Sequence, residues 1–167
     1  MKIKSNYELL LRAQYLVELS EKFFSEEANN NPQLEILIET INQSSKTDHP
    51  DLVILVYEFE LLKSHGFGLR IFECLNCSKS LTKSSNYFSY TNGGFYCESC
   101  LGEVHANEEL VKFSVEDQVI FRSIERKTYN ELLNLDIKDL SIKKLSGMLR
   151  KSISNVLGVQ LKTSRFL

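Results

Sequence analysis

The chain has 167 residues, 43% of them apolar, enough for one main domain with a buried core and a small insertion. Twenty Lys and Arg against 22 Asp and Glu give a net charge of −2, which excludes a protein that covers nucleic acid with its whole surface and confines any such binding to a local patch. There is no apolar run of ~18 residues, and "MKIKSNYELL" lacks the pattern of a signal peptide, so a soluble, cytoplasmic protein without membrane contact is expected.

From Tyr7 to Glu27 the residues Leu9, Leu10, Ala13, Leu16, Val17 and Phe24 recur at three- and four-residue steps, the pattern of an amphipathic helix. "NNNP" ends that segment and offers a new start, with Asn31 as cap and Pro32 at the first helical position, where its missing N–H costs nothing. A second helix through "QLEILIETIN" is expected, then a loop "QSSKTDHP" in which Asp48 near Pro50 resembles a helix start. "DLVILVYEFELLKSH", residues 51–65, is apolar on most faces in its first half and is followed by Gly66, so it predicts a central, buried helix with a left-handed stop.

Residues 73–100, "ECLNCSKSLTKSSNYFSYTNGGFYCESC", hold all four cysteines as two CxxC pairs, Cys74/Cys77 and Cys97/Cys100, 19 residues apart. That spacing lies in the range of zinc sites. Each pair lets two thiolates reach one ion, and two pairs complete a tetrahedron with Zn–S ~2.3 Å, leaving no open position for a catalytic water. Without an export signal, disulfides are the lesser reading. Neither pair sits in a βαβ pattern as a redox motif would, and no proline precedes either pair as in zinc deaminases. His105, five residues past Cys100, is a ligand only if it displaces a cysteine. Between the pairs, aromatic and polar residues alternate around Asn92-Gly93, a dipeptide that favours a tight hairpin turn. The segment reads as a zinc ribbon holding one structural Zn2+, whose binding supplies much of its folding free energy, ~10–16 kcal/mol in finger peptides. Such a ribbon serves equally as nucleic-acid clip, protein contact or structural staple.

Beyond the ribbon, Ser114 precedes "VEDQVIFRSIER" with Asp117 three residues on, a capped helix start. A short helix through "TYNELLNL" and a long one from about Ser141 to Leu157, stopped by Gly158, follow, and "VQLKTSRFL" closes the chain as an extended tail. The fold expected is mainly α: a helical bundle with an inserted small zinc ribbon containing a β-hairpin. Its parts are residues 1–72, the insertion 73–101, and residues 102–167.

Residues 141–167 carry Lys143, Lys144, Arg150, Lys151, Lys162 and Arg165 and no acidic residue. Lys143, Lys144 and Lys151 fall on a similar helix face, beside an apolar stripe of Leu145, Leu149, Ile153 and Val156. They are candidates to attract phosphates or the carboxylates of an acidic peptide, or they solvate one helix face. Lys79 and Lys83 beside Tyr87, Phe88, Tyr90, Phe95 and Tyr96 either stack bases or pack the hairpin on the bundle. No nucleophile–base constellation or phosphate loop occurs, and Glu58 and Glu60 have no spacing that singles out catalysis, so no enzyme is expected. A metal-dependent enzyme is disfavoured by the closed cysteine site.

Two further stretches narrow the function. "LVYEFELLKSHGFG", residues 55–68, a helix ending at a Gly-aromatic-Gly turn ahead of the first CxxC, resembles the bacterial recombination-mediator family RecO. The closing "LGVQLKTSRFL", residues 157–167, is similar to that family's C-terminal signature. The resemblance covers essentially the whole chain as the family's helical and zinc portion, without its N-terminal OB-fold. It implies a nucleoid-associated protein of DNA repair and recombination. Such proteins bind single- and double-stranded DNA, anneal complementary strands and, with RecR, help load RecA onto strands coated by single-strand binding protein, SSB. It places much of the DNA and RecR contact on the OB-fold, and reception of the acidic SSB tail on the helical portion. The competing expectation is an adaptor that keeps the fold and the zinc without DNA binding.

Overall fold

In the computed structural model the described residues are 2–24, 31–104, 108–128, 131–132, 134–135 and 137–166. Helices α1 (Lys2–Phe23), α2 (Asn31–Lys46) and α3 (Pro50–Ser64) come first. A sheet segment follows, with β1 (Arg70–Cys74), β2 (Asn86–Ser89), β3 (Gly94–Tyr96), a 3-10 turn (Glu98–Glu103) and β4 (Leu110–Phe113). Helices α4 (Val115–Arg126) and α5 (Asp139–Leu157) and a short 3-10 turn (Thr163–Phe166) complete the order. The fold is mainly helical with one small sheet, as the hydrophobic periods require.

α3 is the axis of the bundle. It packs against both α2 and α5, and Leu52, Val53, Ile54, Leu55, Tyr57, Phe59, Leu61 and Leu62 are all buried. Its start differs from expectation: His49, not Asp48, is the cap residue, and no side chain caps the helix. Pro50 at the first position removes one of the free N–H groups of the helix start, and the Leu52 and Val53 N–H groups donate to the His49 carbonyl at 3.2 and 3.4 Å. At its other end Gly66 adopts φ +83, the left-handed stop for which glycine is suited.

The first helix presents a different face from the one its apolar spacing suggests. Leu10 and Val17 are half exposed, whereas Tyr15, Leu16 and Leu19 are buried. Tyr15 escapes an apolar count because of its hydroxyl, yet that hydroxyl is satisfied inside the core. α1 ends at Phe23, and residues 25–27 of the expected helix lie outside the described residues. α2 runs through "QSSK", part of the expected loop, where the Ser44 and Ser45 hydroxyls find acceptors within the helix by donating back to the Ile41 and Asn42 carbonyls. Asn31 is the first helical residue rather than the cap.

The sheet order is β1-β3-β2-β4, with β1 parallel to β3 and β2 antiparallel to both of its neighbours. The hairpin forms where Asn92-Gly93 predicts it, with a four-residue loop from Tyr90 to Gly93: Phe88 faces Phe95 and Ser89 faces Gly94. The Ser89 carbonyl accepts from the Gly93 N–H at 3.0 Å, and Gly93 sits at φ +60. Strands β1 and β4 draw residues on both sides of the 73–101 segment into this sheet.

Ribbon and bundle share one core. Phe88, Phe95, Phe113 and Phe121 follow one another at centroid separations of 5.2, 5.4 and 6.3 Å, and Phe59 of α3 meets Phe121 at 6.0 Å. Each contact is in the range of attractive aromatic pairs. Asn86 of β2 donates to Gln118 of α4 at 2.6 Å in the interior, a polar tie beside this apolar ladder.

Candidate metal centre and the surrounding cationic helices

Strand β1 ends on Cys74, the tight turn after it carries Cys77, and the 3-10 turn after β3 brings Cys97 and Cys100 to the same place. The hairpin thus closes the gap that 19 residues open in the sequence. The four sulfurs all lie within 4.8 Å of one another, and Cys77 Sγ and Cys97 Sγ are 3.9 Å apart. A thiolate tetrahedron at Zn–S ~2.3 Å has edges of ~3.8 Å, so the donor set fits one tetrahedral ion. Cys74 and Cys100 are buried and the other two are half-buried.

The thiols disagree about ionisation when only one another are near. Burial opposes a thiolate at Cys74, but N–H groups of Cys97, Cys77 and Asn76 aimed at its sulfur bring it down to about 6. Burial, then the neighbouring thiols, push Cys97 up to about 12. A cation among them removes that conflict, since every thiolate then faces positive charge. These four cysteines could hold a metal ion. His105 lies outside the described residues.

The six cations of residues 141–167 have separate fates. Lys144 is ion-paired with Asp117 and sits 4.6 Å from the Phe113 ring centre. Lys151 is paired with Glu109 and sits 4.3 Å from the Tyr90 ring centre. Arg150 turns inward, its Nε donating to Glu58 Oε1 at 3.1 Å. Lys143 and Lys162 are exposed, and no carboxylate pairs with the Lys143 ammonium among the described residues. The end of the chain is not extended: the Glu18 carboxylate accepts from the backbone of Lys162 and Thr163, both at 2.9 Å, and from the Thr163 hydroxyl. Arg165 is exposed within the turn that this clamp folds.

Lysines 144 and 151 therefore lie over aromatic rings of the sheet segment, Phe113 of β4 and Tyr90 of the hairpin loop, with carboxylates close by. Tyr90, Phe88 and Phe95 pack the hairpin inward, with Phe88 and Phe95 fully buried.

One cluster has no forerunner in spacing. Glu58, fully buried on α3, accepts from the Tyr15 hydroxyl of α1 at 2.6 Å and from Arg150 of α5. Burial pushes the Glu58 carboxyl and the Tyr15 phenol up from their ordinary values. Burial also works against the Arg150 cation, but the adjacent Glu58 outweighs it and raises the Arg150 pKa. Glu58 shares "DLVILVYEFELL" with Asp51 and Glu60, and nothing in the spacing marks it as the one of the three that needs a buried partner.

The model of the family described as "Recombination protein O C terminal" matches residues 4–165. The chain belongs to this family. The DNA repair protein RecO of Dehalococcoides mccartyi strain CBDB1 is 28% identical over 100% of this chain and 64% of its own length. That of Roseiflexus sp. strain RS-1 is 32% identical over 60% of this chain and 36% of its own, and that of Bacillus cereus strain AH187 is 26% identical over 99% and 64%. The chain spans under two thirds of the length of these relatives. Among the described residues no helix is long and apolar enough to cross a membrane.

Proposed function

We propose that the chain is the helical, zinc-bearing body of a RecO-type DNA repair and recombination protein, and that it works through contacts with DNA and partner proteins rather than by catalysis. The observation that carries this reading is the family match over residues 4–165 combined with an intact four-sulfur cluster. A donor set of four thiolates favours zinc over harder cations. With all four positions taken by protein, the ion supplies folding free energy and no activated water.

Contact with the acidic tail of SSB is the role that best suits the helical part taken alone. Lys143 is exposed on α5, and Lys144 stays partly accessible beside its carboxylate. The direct test is fluorescence anisotropy of a labelled acidic SSB-tail peptide titrated with the zinc-loaded chain. Saturable binding that weakens with salt, and that falls in a Lys143→Ala/Lys144→Ala variant, supports recruitment to SSB-coated strands. Contact with RecR, annealing and help in loading RecA belong to the same reading, and they are tested by adding the missing partners to that assay.

A second reading is an adaptor that retains the fold without DNA binding. It is favoured by one observation: Lys144, Arg150 and Lys151 are each paired with a carboxylate of the same chain, which lowers the charge that the α5 face offers to phosphates. Absence of any DNA binding at low salt decides for it.

A further inference from the structure

Besides Lys143 on α5, cations free of a carboxylate lie on α4. Arg12 is bonded to Asp51, Arg70 to Glu73 and Arg150 to Glu58. Arg122 and Arg126, one turn apart on α4, have no carboxylate partner among the described residues, and both guanidinium groups lie over the same ring, Phe72 of β1, at 5.9 and 4.3 Å. Like charges four residues apart on a helix repel, and attraction of cations to a helix C-terminus explains the position of Arg126 but not why both groups share one ring.

The two differ in what holds them. Arg122 Nε donates to the Ile71 carbonyl at 3.2 Å and its Nη2 to Gln118 Oε1 at 3.4 Å, which fixes the guanidinium plane. Arg126 is exposed, and among the described residues it has the ring contact but no hydrogen bond or ion pair, so its fork of donors faces solvent. Lys127 follows it in sequence and is exposed. Lys83, also exposed, precedes Ser84, whose carbonyl accepts from Gln118 Nε2 at 3.0 Å. That bond sets Lys83 beside α4 one turn before Arg122. Glu73 and Glu125, the sequence neighbours of Phe72 and Arg126, are engaged by Arg70 and Lys63.

We propose that Arg126 and Arg122, braced on Phe72 and extended by Lys127 and Lys83, form a binding site for the phosphodiester backbone of nucleic acid. The site lies on α4, apart from the α5 lysines. A planar guanidinium grips a phosphate through two parallel N–H bonds. With both arginines over the ring and Phe72 itself half-buried, the surface offers charge and fork geometry rather than a platform for bases, so it holds the backbone without reading sequence. The inference rests on the DNA-contact reading above and names its location.

The test is anisotropy of a labelled oligothymidylate over a range of salt, using the zinc-loaded chain, Arg126→Gln, Arg126→Lys and the distant control Lys46→Ala. Arg126 is exposed, and thermal unfolding of each variant verifies that it folds. Arg126→Gln is expected to weaken binding and lower the slope of log affinity against log salt by about 1. Arg126→Lys should keep the slope but bind less tightly, having charge without the fork. Lys46→Ala should match the parent. Parental binding with an unchanged Arg126→Gln slope overturns this site while leaving DNA contact intact. No parental binding even at low salt overturns both. If a labelled polyglutamate peptide binds as tightly and loses as much in Arg126→Gln, the occupant is an acidic peptide and the nucleic-acid assignment is wrong.

Discussion

Glu58 and Arg150 stand 92 residues apart in sequence and meet inside the bundle, one fully buried and the other 17% exposed. Removing one member of such a pair strands the other, so Glu58→Ala should destabilise the fold by ~3–5 kcal/mol. Replacing both with apolar residues, as in Glu58→Leu/Arg150→Met, should cost far less than the sum of the two single changes. Denaturant unfolding of the four proteins checks this coupling. Asp117 makes a second test at the same scale. Burial works against its charge, yet bonds from Lys144 and from the Ser114 hydroxyl and N–H hold its carboxyl below the ordinary aspartate range. Its stabilisation is therefore complete above the unfolded value of ~3.9, and is lost as the pH falls through the lower folded value. Asp117→Asn should lower Tm at neutral pH, by an amount equivalent to about 1 kcal/mol for a lost cap. The gap to the parent should close on acidification below that range. Ser114-x-x-Asp117 was legible because a cap is local. Asp117 contacting Lys144 was not, because it depends on α4 lying against α5.

At the scale of elements, two glycines of the last helix should respond oppositely to the same change. Gly158 ends α5 at φ +65, whereas Gly147 lies within the helix with nothing within 4 Å of an added Cβ. Gly147→Ala should stabilise the protein by ~0.5–1 kcal/mol and Gly158→Ala should destabilise it by ~1 kcal/mol, as read from thermal unfolding. Helix identity and order were legible because apolar spacing, Pro32, Pro50, Gly66 and Gly158 act within a turn or two. Which face of α1 packs inward was not, since half-exposed Leu10 and Val17 score as well as buried Leu16 and Leu19. Tyr15, whose hydroxyl is matched by Glu58, decides the matter. The parallel pairing of β1 with β3 likewise escaped, because the hairpin signal concerns only β2 and β3 and says nothing of what lies along its far edge.

For the molecule as a whole, the aromatic ladder from Phe88 to Phe59 runs from ribbon into bundle, and the two are expected to unfold together. Stripping the ion or replacing Cys97 with serine should therefore do more than loosen the ribbon. Cys97→Ser is expected to retain less than one zinc per chain by metal analysis and to lower the Tm of the helical signal as well, since Phe95 and Phe113 lose their support. Unchanged helical unfolding with the metal gone would mean two independent units. The meeting of the four cysteines was readable in the sequence because two CxxC pairs need only a short hairpin to come together. The availability of the cations was not: whether a lysine or an arginine is neutralised depends on carboxylates from Glu58 on α3, Glu109 next to β4 and Asp117 on α4, far from it in sequence.

The clamp of Glu18 on Thr163 joins residues 145 positions apart. During synthesis, α1 leaves the ribosome long before the residues that fasten it exist, and Arg150, which neutralises Glu58 beneath Tyr15, is also made late. Until then α1 rests on α2 and α3, over a Glu58 carboxylate that still lacks its cation. The clamp at Thr163 thus closes after α1 has met α2 and α3, and a chain stalled before Thr163 would hold α1 by those earlier contacts alone.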